Sequence, residues 1–402
     1  MALMPVSEAL QRVLADAEPI GTERAALTDA LGRVLADDLA ATRTQPPADV
    51  SAMDGYAVRA SDVAEAPARL TVIGEVAAGH PFDGEVMPGQ AARIFTGGLL
   101  PRGADCVVVQ EVTRRDGDTV IIERSGIAGR HIRRKGIDFT EGLVLLTRGT
   151  RLNDRDLMLA ASMNHPAFSV FRRPKVAVIG TGDELVLPGG EPAAGEIVYS
   201  NGFALTALAQ SEGAEARDFG IARDSVEAIV AKLREARAWG ADVLVTSGGA
   251  SVGEHDLVRR ALSSEGLDLS FWRVALRPGR PMMHGRLGRL QVLGVPGNPV
   301  SSYVVSFLFL VPLIRKLSGR SDVERKPESA LLGRDLPEND EREDYLRAML
   351  TESPDGPVAT PVSSQDSSLM APLSRAGCLV IRPPHAPAMR VGSRCTILKF
   401  GL

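Results

Sequence analysis

Between residues 174 and 320, short apolar runs alternate with amphipathic stretches, and this rhythm constrains the fold more than any other feature of the chain. The run Val176 to Ile179 precedes a helical pattern near 201–212, and a second helical pattern sets Val226, Ile229, Val230 and Leu233 on one face. Val243 to Val245, a run near Leu290 to Val295 and an apolar helix over 300–317 complete the alternation. Strands apolar throughout are buried on both faces, so the pattern predicts a mainly parallel sheet covered by helices on each side. The most apolar stretch, Tyr303 to Ile314, is too short to span a bilayer and contains Pro312, which predicts a buried helix and no membrane association.

The flanking chain follows other rules. Residues 5–40 carry two helical patterns: Val6, Leu10, Val13 and Leu14 share one face, and Leu27, Leu31, Val34 and Leu35 another. Pro46 and Pro47 then mark an extended connector. From about 51 to 148, β-type runs (Leu70 to Val72, Val107 to Gln110, Val120 to Glu123, Leu143 to Leu146) alternate with glycine-rich turns. A helix capped by Asn153 and stopped near a left-handed Asn164 follows, so the β-rich segment reads as an insertion. Beyond about residue 326 short β-type runs return. The expected fold is α/β with β-rich accessory domains. Its parts are a discontinuous helical and linking unit (1–50 and 149–173), an inserted β-rich unit (51–148), an α/β unit (174–325) and a small all-β unit (326–402).

Charge and cysteine content narrow the partners. A formal net charge of −4 with both signs intermixed gives no bulk attraction to nucleic acid or anionic membrane. Cys106, Cys378 and Cys395 form no C-x-x-C pair, which argues against a disulfide framework or a zinc site and suits a reducing compartment. The start MALMPVSEAL has no basic region followed by a long apolar one, so a cytoplasmic location is expected.

Parallel sheets bind ligands at the carboxyl ends of their strands, and three strand-end loops stand out: GTGDEL (180–185), TSGGASVGEHD (246–256) and VPGNPVSS (295–302). Glycines let backbone amides approach an anion, and a following helix N-terminus adds partial positive charge. One such loop is as readily a tight turn. Three on one sheet edge point to a phosphate or oxyanion site, with Gly182, Asp183, Ser247, Gly248, Gly249, Ser251, Pro296, Gly297, Asn298 and Pro299 as candidate binding residues. A dinucleotide fingerprint is excluded, because Leu185 occupies the third glycine position and LVLPGGEPAAGE forms no helix. Asp183, Glu184, Glu254 and Asp256 would repel an oxyanion unless a divalent cation such as magnesium stood between them; singly, each is better read as a solvent-facing turn or helix cap. Asp224-x-x-Glu227 in particular reads as an N-cap. The turn Arg277-Pro278-Gly279-Arg280-Pro281 offers two guanidinium groups to an anion, whereas Arg130, Arg133, Arg134 and Lys135 are either a solvated face or an anion contact. His255 and His284 read as structural, and Ser247 and Ser251 lack a histidine partner for a hydrolase triad.

Taken in order, these motifs resemble the molybdopterin molybdenumtransferase family, which includes the gephyrin E domain and the bacterial MoeA proteins. The matching stretches are SAMDGYAV (51–58), RIFTGGLLPRGADCVVVQE (93–111), RRKGIDFTEG (133–142), KVAVIGTGDEL (175–185), TSGGASVGEHD (246–256), RPGRPM (277–282) and GVPGNPVSS (294–302). The resemblance implies an elongated four-domain subunit that forms a homodimer, its site lying between the α/β domain of one subunit and the segment near 51–140 of the other. It implies the reaction of adenylylated molybdopterin with molybdate to give molybdenum cofactor and AMP, assisted by magnesium. The substrate's dithiolene sulfurs would hold the molybdenum, so no cysteine cluster is needed. Onto this chain it maps functional carboxylates at Asp54, Asp138, Glu184, Asp224 and Asp256, with Glu184 and Asp256 on the metal, a threonine at Thr96 beside Gly97, and a carboxyl-terminal arginine and serine at Arg347 and Ser367. A molybdopterin adenylyltransferase and molybdoenzyme acceptors are the implied partners. Arg277 and Arg280 depart from the lysines usual in this turn, which changes donor geometry. Two other readings remain: a non-catalytic molybdopterin-binding scaffold, which would be expected to lose these acids, and an insertase that prefers tungstate.

Overall fold

The apolar runs of the central segment become strands because each finds neighbours on both faces. The computed structural model describes residues 3–248 and 257–401. One six-stranded sheet runs Glu215–Ala222, Lys175–Thr181, Val243–Ser247, Leu290–Val295, Met283–Leu287, Asp268–Trp272. The first four strands are parallel, and the last two add antiparallel at one edge. Alternate side chains serve opposite layers. Val176, Val178 and Val245 pack with Leu205, Ala209, Val304 and Leu313, while Ala177, Ile179 and Leu244 pack with Ile229, Leu233, Val258 and Leu262. Each fully buried side chain of this size contributes about 1.5–3 kcal/mol. This is the mainly parallel, doubly covered sheet that the alternation predicts.

The helix Pro299–Leu317 is long and apolar enough to cross a membrane, yet 83% of its most apolar window is buried inside the molecule. Its middle, Ser306–Leu310, is wound as a π-helix just before Pro312, where the chain has no amide to give to a normal helical bond.

Elsewhere the sequence reading holds in part. Asn153 caps the helix Asp154–Ser162 in a reciprocal capping box with Asp156, and Asn164 takes the left-handed conformation at φ 71°. The helix expected from Leu27, Leu31, Val34 and Leu35 is absent. Leu27–Asp29 is a single 3₁₀ turn, Leu31 is 59% exposed, and Gly32 adopts φ 72°. Extended pairing takes its place: Thr22–Ala26 runs antiparallel to Ala167–Phe171, and Leu35 bridges Val170. The helix Leu257–Ser264 has no counterpart in the sequence reading.

The β-rich segment forms a second six-stranded sheet, in the order Cys106–Val109, Gly55–Val58, Gln90–Ile94, Ala68–Val76, Thr119–Ile122, Thr113–Asp116. Val144–Leu146 does not join it but pairs with Leu39–Ala40. In the carboxyl-terminal part, Glu343–Thr351 pairs with both Val358–Pro361 and Cys378–Arg382, which closes a small barrel with Glu328–Leu332 and Arg394–Lys399; one short helix, Met370–Arg375, decorates it. Leu276–Arg277 leaves the α/β unit to pair with the edge of that barrel.

Where these parts meet, Glu212 is buried at 5% exposure among three arginines. It accepts from Arg315 Nε and Nη2 at 2.8 and 3.1 Å, Arg320 Nη1 at 2.9 Å and Arg325 Nη2 at 2.8 Å. Burial pushes its carboxyl upward, but the hydrogen bond and charge of Arg315, aided by Arg320 and Arg325, leave the net value below the ordinary one. The stability it provides is therefore present above the unfolded glutamate value, about 4.3, and is lost as pH falls through the lower folded value. Glu212→Ala should cost about 3–5 kcal/mol in denaturant unfolding at neutral pH, because three guanidinium groups lose their buried counter-charge. The gap between variant and wild type should shrink as the pH falls below 4. A variant as stable as wild type at pH 7 would show that the knot carries no weight.

Candidate functional site

Strand register brings the three glycine loops together. Gly180 pairs with Ser247, and Ser247 with Val295, so the ends of three neighbouring parallel strands lie in one row. Past that row the chain turns at Gly182 (φ 147°) and Gly248 (φ 100°), a backbone region that side chains rarely tolerate. A methyl on Gly297 would sit 3.5 Å from Gly248 Cα, so the second and third loops touch. Gly180 and Gly202 leave the space that Tyr199 fills, and the Tyr199 hydroxyl donates to Asp218 at 3.1 Å. Burial, reinforced by the Asp218 carboxylate, pushes the Tyr199 hydroxyl upward and keeps it protonated. That packing sets Asn201 at the strand edge, where its Nδ2 donates to Ser247 Oγ at 2.7 Å and to the Gly297 carbonyl at 2.8 Å.

Three of the expected acids gather at the same edge. Glu184 folds back over Gly182, its Oε2 only 2.5 Å from where a Cβ on that glycine would stand. Asp183 and Asp224 exchange amide bonds: the Asp224 amide donates to Asp183 Oδ1 at 3.2 Å and the Asp183 amide to Asp224 Oδ2 at 3.4 Å. Arg223 donates to the Asp183 carbonyl at 3.0 Å. The N-cap reading of Asp224 is corrected. Ser225, with extended backbone, caps the helix Val226–Ala238 by accepting from the Ala228 amide. Asp224 is one residue too early to cap and faces the GTGDEL loop instead. Gly249, Ser251, Glu254, His255 and Asp256 lie outside the described residues. Among the described residues, no three histidine, cysteine or acidic side chains form a metal cage.

The carboxyl-terminal part reaches this edge through Ser367. Its Oγ accepts from Asn298 Nδ2 at 3.0 Å, and its carbonyl accepts from the Val300 amide at 3.1 Å, at the start of the helix that Pro299 opens. Arg347 is enclosed within the carboxyl-terminal part. It is 0% exposed, and its guanidinium donates to the Leu369, Asp366 and Ser364 carbonyls and to Gln365 Oε1, which leaves it holding the 364–369 loop that presents Ser367. Arg277 is also engaged within the chain. Its guanidinium is gripped by Asp344 and bonded to Asp340, so its charge is already balanced within the chain. Arg280 stays exposed.

A second cluster forms in the β-rich part. Gly97 turns at φ 80° and donates to the Ser51 carbonyl, which brings Thr96 over Asp54. One oxygen of Asp54 accepts both the Thr96 amide and the Thr96 hydroxyl, each at 2.7 Å. Those bonds, the amide first, hold the Asp54 carboxyl below the ordinary aspartate value. Asp138 is exposed, and its amide bonds the Gln45 carbonyl. The basic run is tied to the same stretch, since Arg134 and the Lys135 amide both donate to Asp49. Among the described residues, no hydrogen bond or ion pair links the Asp54–Thr96 pair to the strand-edge cluster.

Asn201 and Tyr199 were missed by sequence reasoning. An asparagine at the first turn of a helix looks like a cap, and only the fold reveals that it bridges two loops. Thr96→Val keeps the amide bond to Asp54 but removes the hydroxyl bond. The Asp54 carboxyl, followed by NMR titration, should move up toward the ordinary aspartate value of about 3.9; an unchanged titration would deny the hydroxyl any influence.

Comparison with known proteins accounts for nearly the whole chain. Residues 4–164 match the family "MoeA N-terminal region (domain I and II)", 177–316 the family "Probable molybdopterin binding domain" and 329–400 the family "MoeA C-terminal region (domain IV)". A molybdopterin molybdenumtransferase of Haemophilus influenzae is 34% identical over 385 residues, covering 95% of each chain. One from Bacillus subtilis is 34% identical over 403 residues, covering 98% of this chain and 94% of its own. The crystal structure of a molybdopterin biosynthesis MoeA protein from Pyrococcus horikoshii superposes with a TM-score of 0.84 at 32% identity, covering 100% of both chains.

Proposed function

Since this chain belongs to the MoeA family of molybdopterin molybdenumtransferases, enzymes of the molybdenum-insertion step of cofactor biosynthesis, we propose that its strand-edge cluster binds the phosphates of adenylylated molybdopterin and releases AMP as molybdate is inserted. The observation that carries this reading is the row Gly180–Ser247–Val295, beyond which two left-handed glycines expose backbone while Glu184 folds over Gly182. Amides and hydroxyls there suit anionic oxygens, which a close carboxylate alone would repel.

Magnesium fits the donor set. Glu184, Asp183 and Asp224 offer only oxygen, which suits a hard cation that keeps its waters and shares substrate phosphates rather than filling a closed cage. In this reading Glu184 and Asp256 hold the ion, and its chemistry is to neutralise phosphate charge. Ser247, Gly248, Gly297 and Asn298 orient the phosphates, and Ser367 closes the edge from the carboxyl-terminal side. Asp54, kept ionised by Thr96, accepts a proton or a hydrogen bond from a water and does not act as an acid. Asp138, exposed in the same unit, supplies a second carboxylate.

The two clusters complete one site across a homodimer, Asp54, Thr96 and Asp138 coming from one subunit and the strand-edge acids from its partner. Three free, buried cysteines accord with a cytoplasmic location. A molybdopterin adenylyltransferase would supply the substrate, and molybdoenzymes would receive the product.

Purified protein given adenylylated molybdopterin, magnesium and molybdate should release AMP and yield active cofactor. Binding of the pterin nucleotide without molybdate-dependent AMP release would defeat this reading. Asp54→Ala and Glu184→Ala chains, each inactive alone, should regain activity when mixed, because half of the sites in the heterodimer are intact. Heterodimers that form but stay inactive would place the whole site within one chain.

A further inference from the structure

Asn201 touches none of the acids, yet it is bonded to two of the three loops. The Gly297 carbonyl can only accept, so the atom 2.8 Å from it must be the amide nitrogen, which settles the orientation of the side chain. The same nitrogen donates its other hydrogen to Ser247 Oγ at 2.7 Å. Ser247 therefore receives a hydrogen bond at its oxygen, and its own proton remains to be given. Its other side-chain contact among the described residues, Ser302 Oγ, is 3.5 Å away, at the edge of a useful bond. Beside it, Thr181 Oγ1 is buried without a partner among the described residues and lies 2.9 Å from where a Cβ on Gly248 would stand. Two buried hydroxyls thus face the turn at Gly248 with protons to donate. A buried donor left without an acceptor costs free energy, so such a pair favours an anionic oxygen between them.

We infer that Asn201 is a positioning residue: by donating to Ser247 it leaves that hydroxyl to donate in turn to an anionic phosphate oxygen of the substrate, its bond to the Gly297 carbonyl fixing which way the amide faces. The inference rests on the proposed phosphoanhydride site. Its location is tightly set, because Tyr199 fills the space beside Gly202 that any larger residue would need.

The test is a mutant cycle read by steady-state AMP release with saturating magnesium. Asn201→Ala should lower kcat roughly tenfold to a hundredfold, with the KM for molybdate unchanged and the unfolding midpoint close to wild type. Ser247→Ala should lose a similar factor, and the double variant should be no worse than Ser247→Ala alone, because Asn201 acts through that hydroxyl. Asn201→Asp keeps the shape but accepts the serine proton, so its kcat should fall below that of Asn201→Ala; it carries the comparison should Asn201→Ala fail to fold. Losses that multiply in the double variant, or an Asn201→Asp enzyme with wild-type kcat, would overturn the positioning role while leaving the site reading in place. A wild-type enzyme that releases no AMP would remove both together.

Discussion

Glu212 is the carboxylate on which the placement of the site depends. It ends the helix Asn201–Ser211, whose first residue clamps the strand-end loops. A carboxylate at a helix C-terminus is disfavoured by the helix dipole, and burial adds a further penalty. Both are outweighed because Arg315 arrives from the buried helix and Arg320 and Arg325 from the link to the carboxyl-terminal barrel. Arg151, from the first helical unit, donates to the Ser211 carbonyl, and Ser321 donates to Gly149. One eleven-residue helix, roughly 16 Å long at 1.5 Å per residue, is therefore pinned at both ends, by charge at one and by the Asn201 amide at the other. The loop edge and the barrel cannot shift independently while that helix is held.

The parts of the fold legible in the sequence are those whose determinants are local. Val176 to Ile179 and Val243 to Val245 are apolar without interruption, and only a strand buried on both faces uses such a run. Asn153 and Asn164 bracket their helix through bonds to chain no more than five residues away. The Leu27 to Leu35 segment shows the limit. Its spacing matches a helical face, but the partners that fix it, Arg151 for Val34 and Val170 for Leu35, lie more than a hundred residues onward. An extended chain buries Val34 and Leu35 once a second strand is available and leaves Leu31 exposed, and periodicity cannot report a strand that remote.

The same division governs the site. Gly182 and Gly248 stood out in the sequence as glycines at strand ends, and the structure gives both a positive φ; Gly97, which also takes one, came only with the family resemblance. Asp224 was misread by a single position: aspartate and serine are both good caps, and only the backbone shows that Ser225 is the extended residue. Arg277 and Arg347 were recognisable as cations, but whether a cation is free is a tertiary property. Asp340 and Asp344 claim the first, and the carbonyls of the 364–369 loop claim the second. The Arg347 guanidinium acts at one remove from the strand edge, by fixing the loop whose Ser367 reaches Asn298.

This accounting fixes where charge for an anionic substrate can come from. With Arg277 and Arg347 satisfied internally, the described groups around the Gly180–Ser247–Val295 row are amides, hydroxyls, three carboxylates (Asp183, Glu184 and Asp224) and one guanidinium, Arg223 beside Asp183, which leaves the edge net negative. Like charges about 4 Å apart repel by roughly 4 kcal/mol at the effective dielectric of a protein surface, more than one neutral hydrogen bond, at about 1 kcal/mol, returns. A phosphate approaching this edge alone would be expelled by the acids that line it. In the proposed reaction magnesium would offset that repulsion and let the carboxylates hold phosphate, while the Ser247 hydroxyl, bonded by Asn201, would orient it.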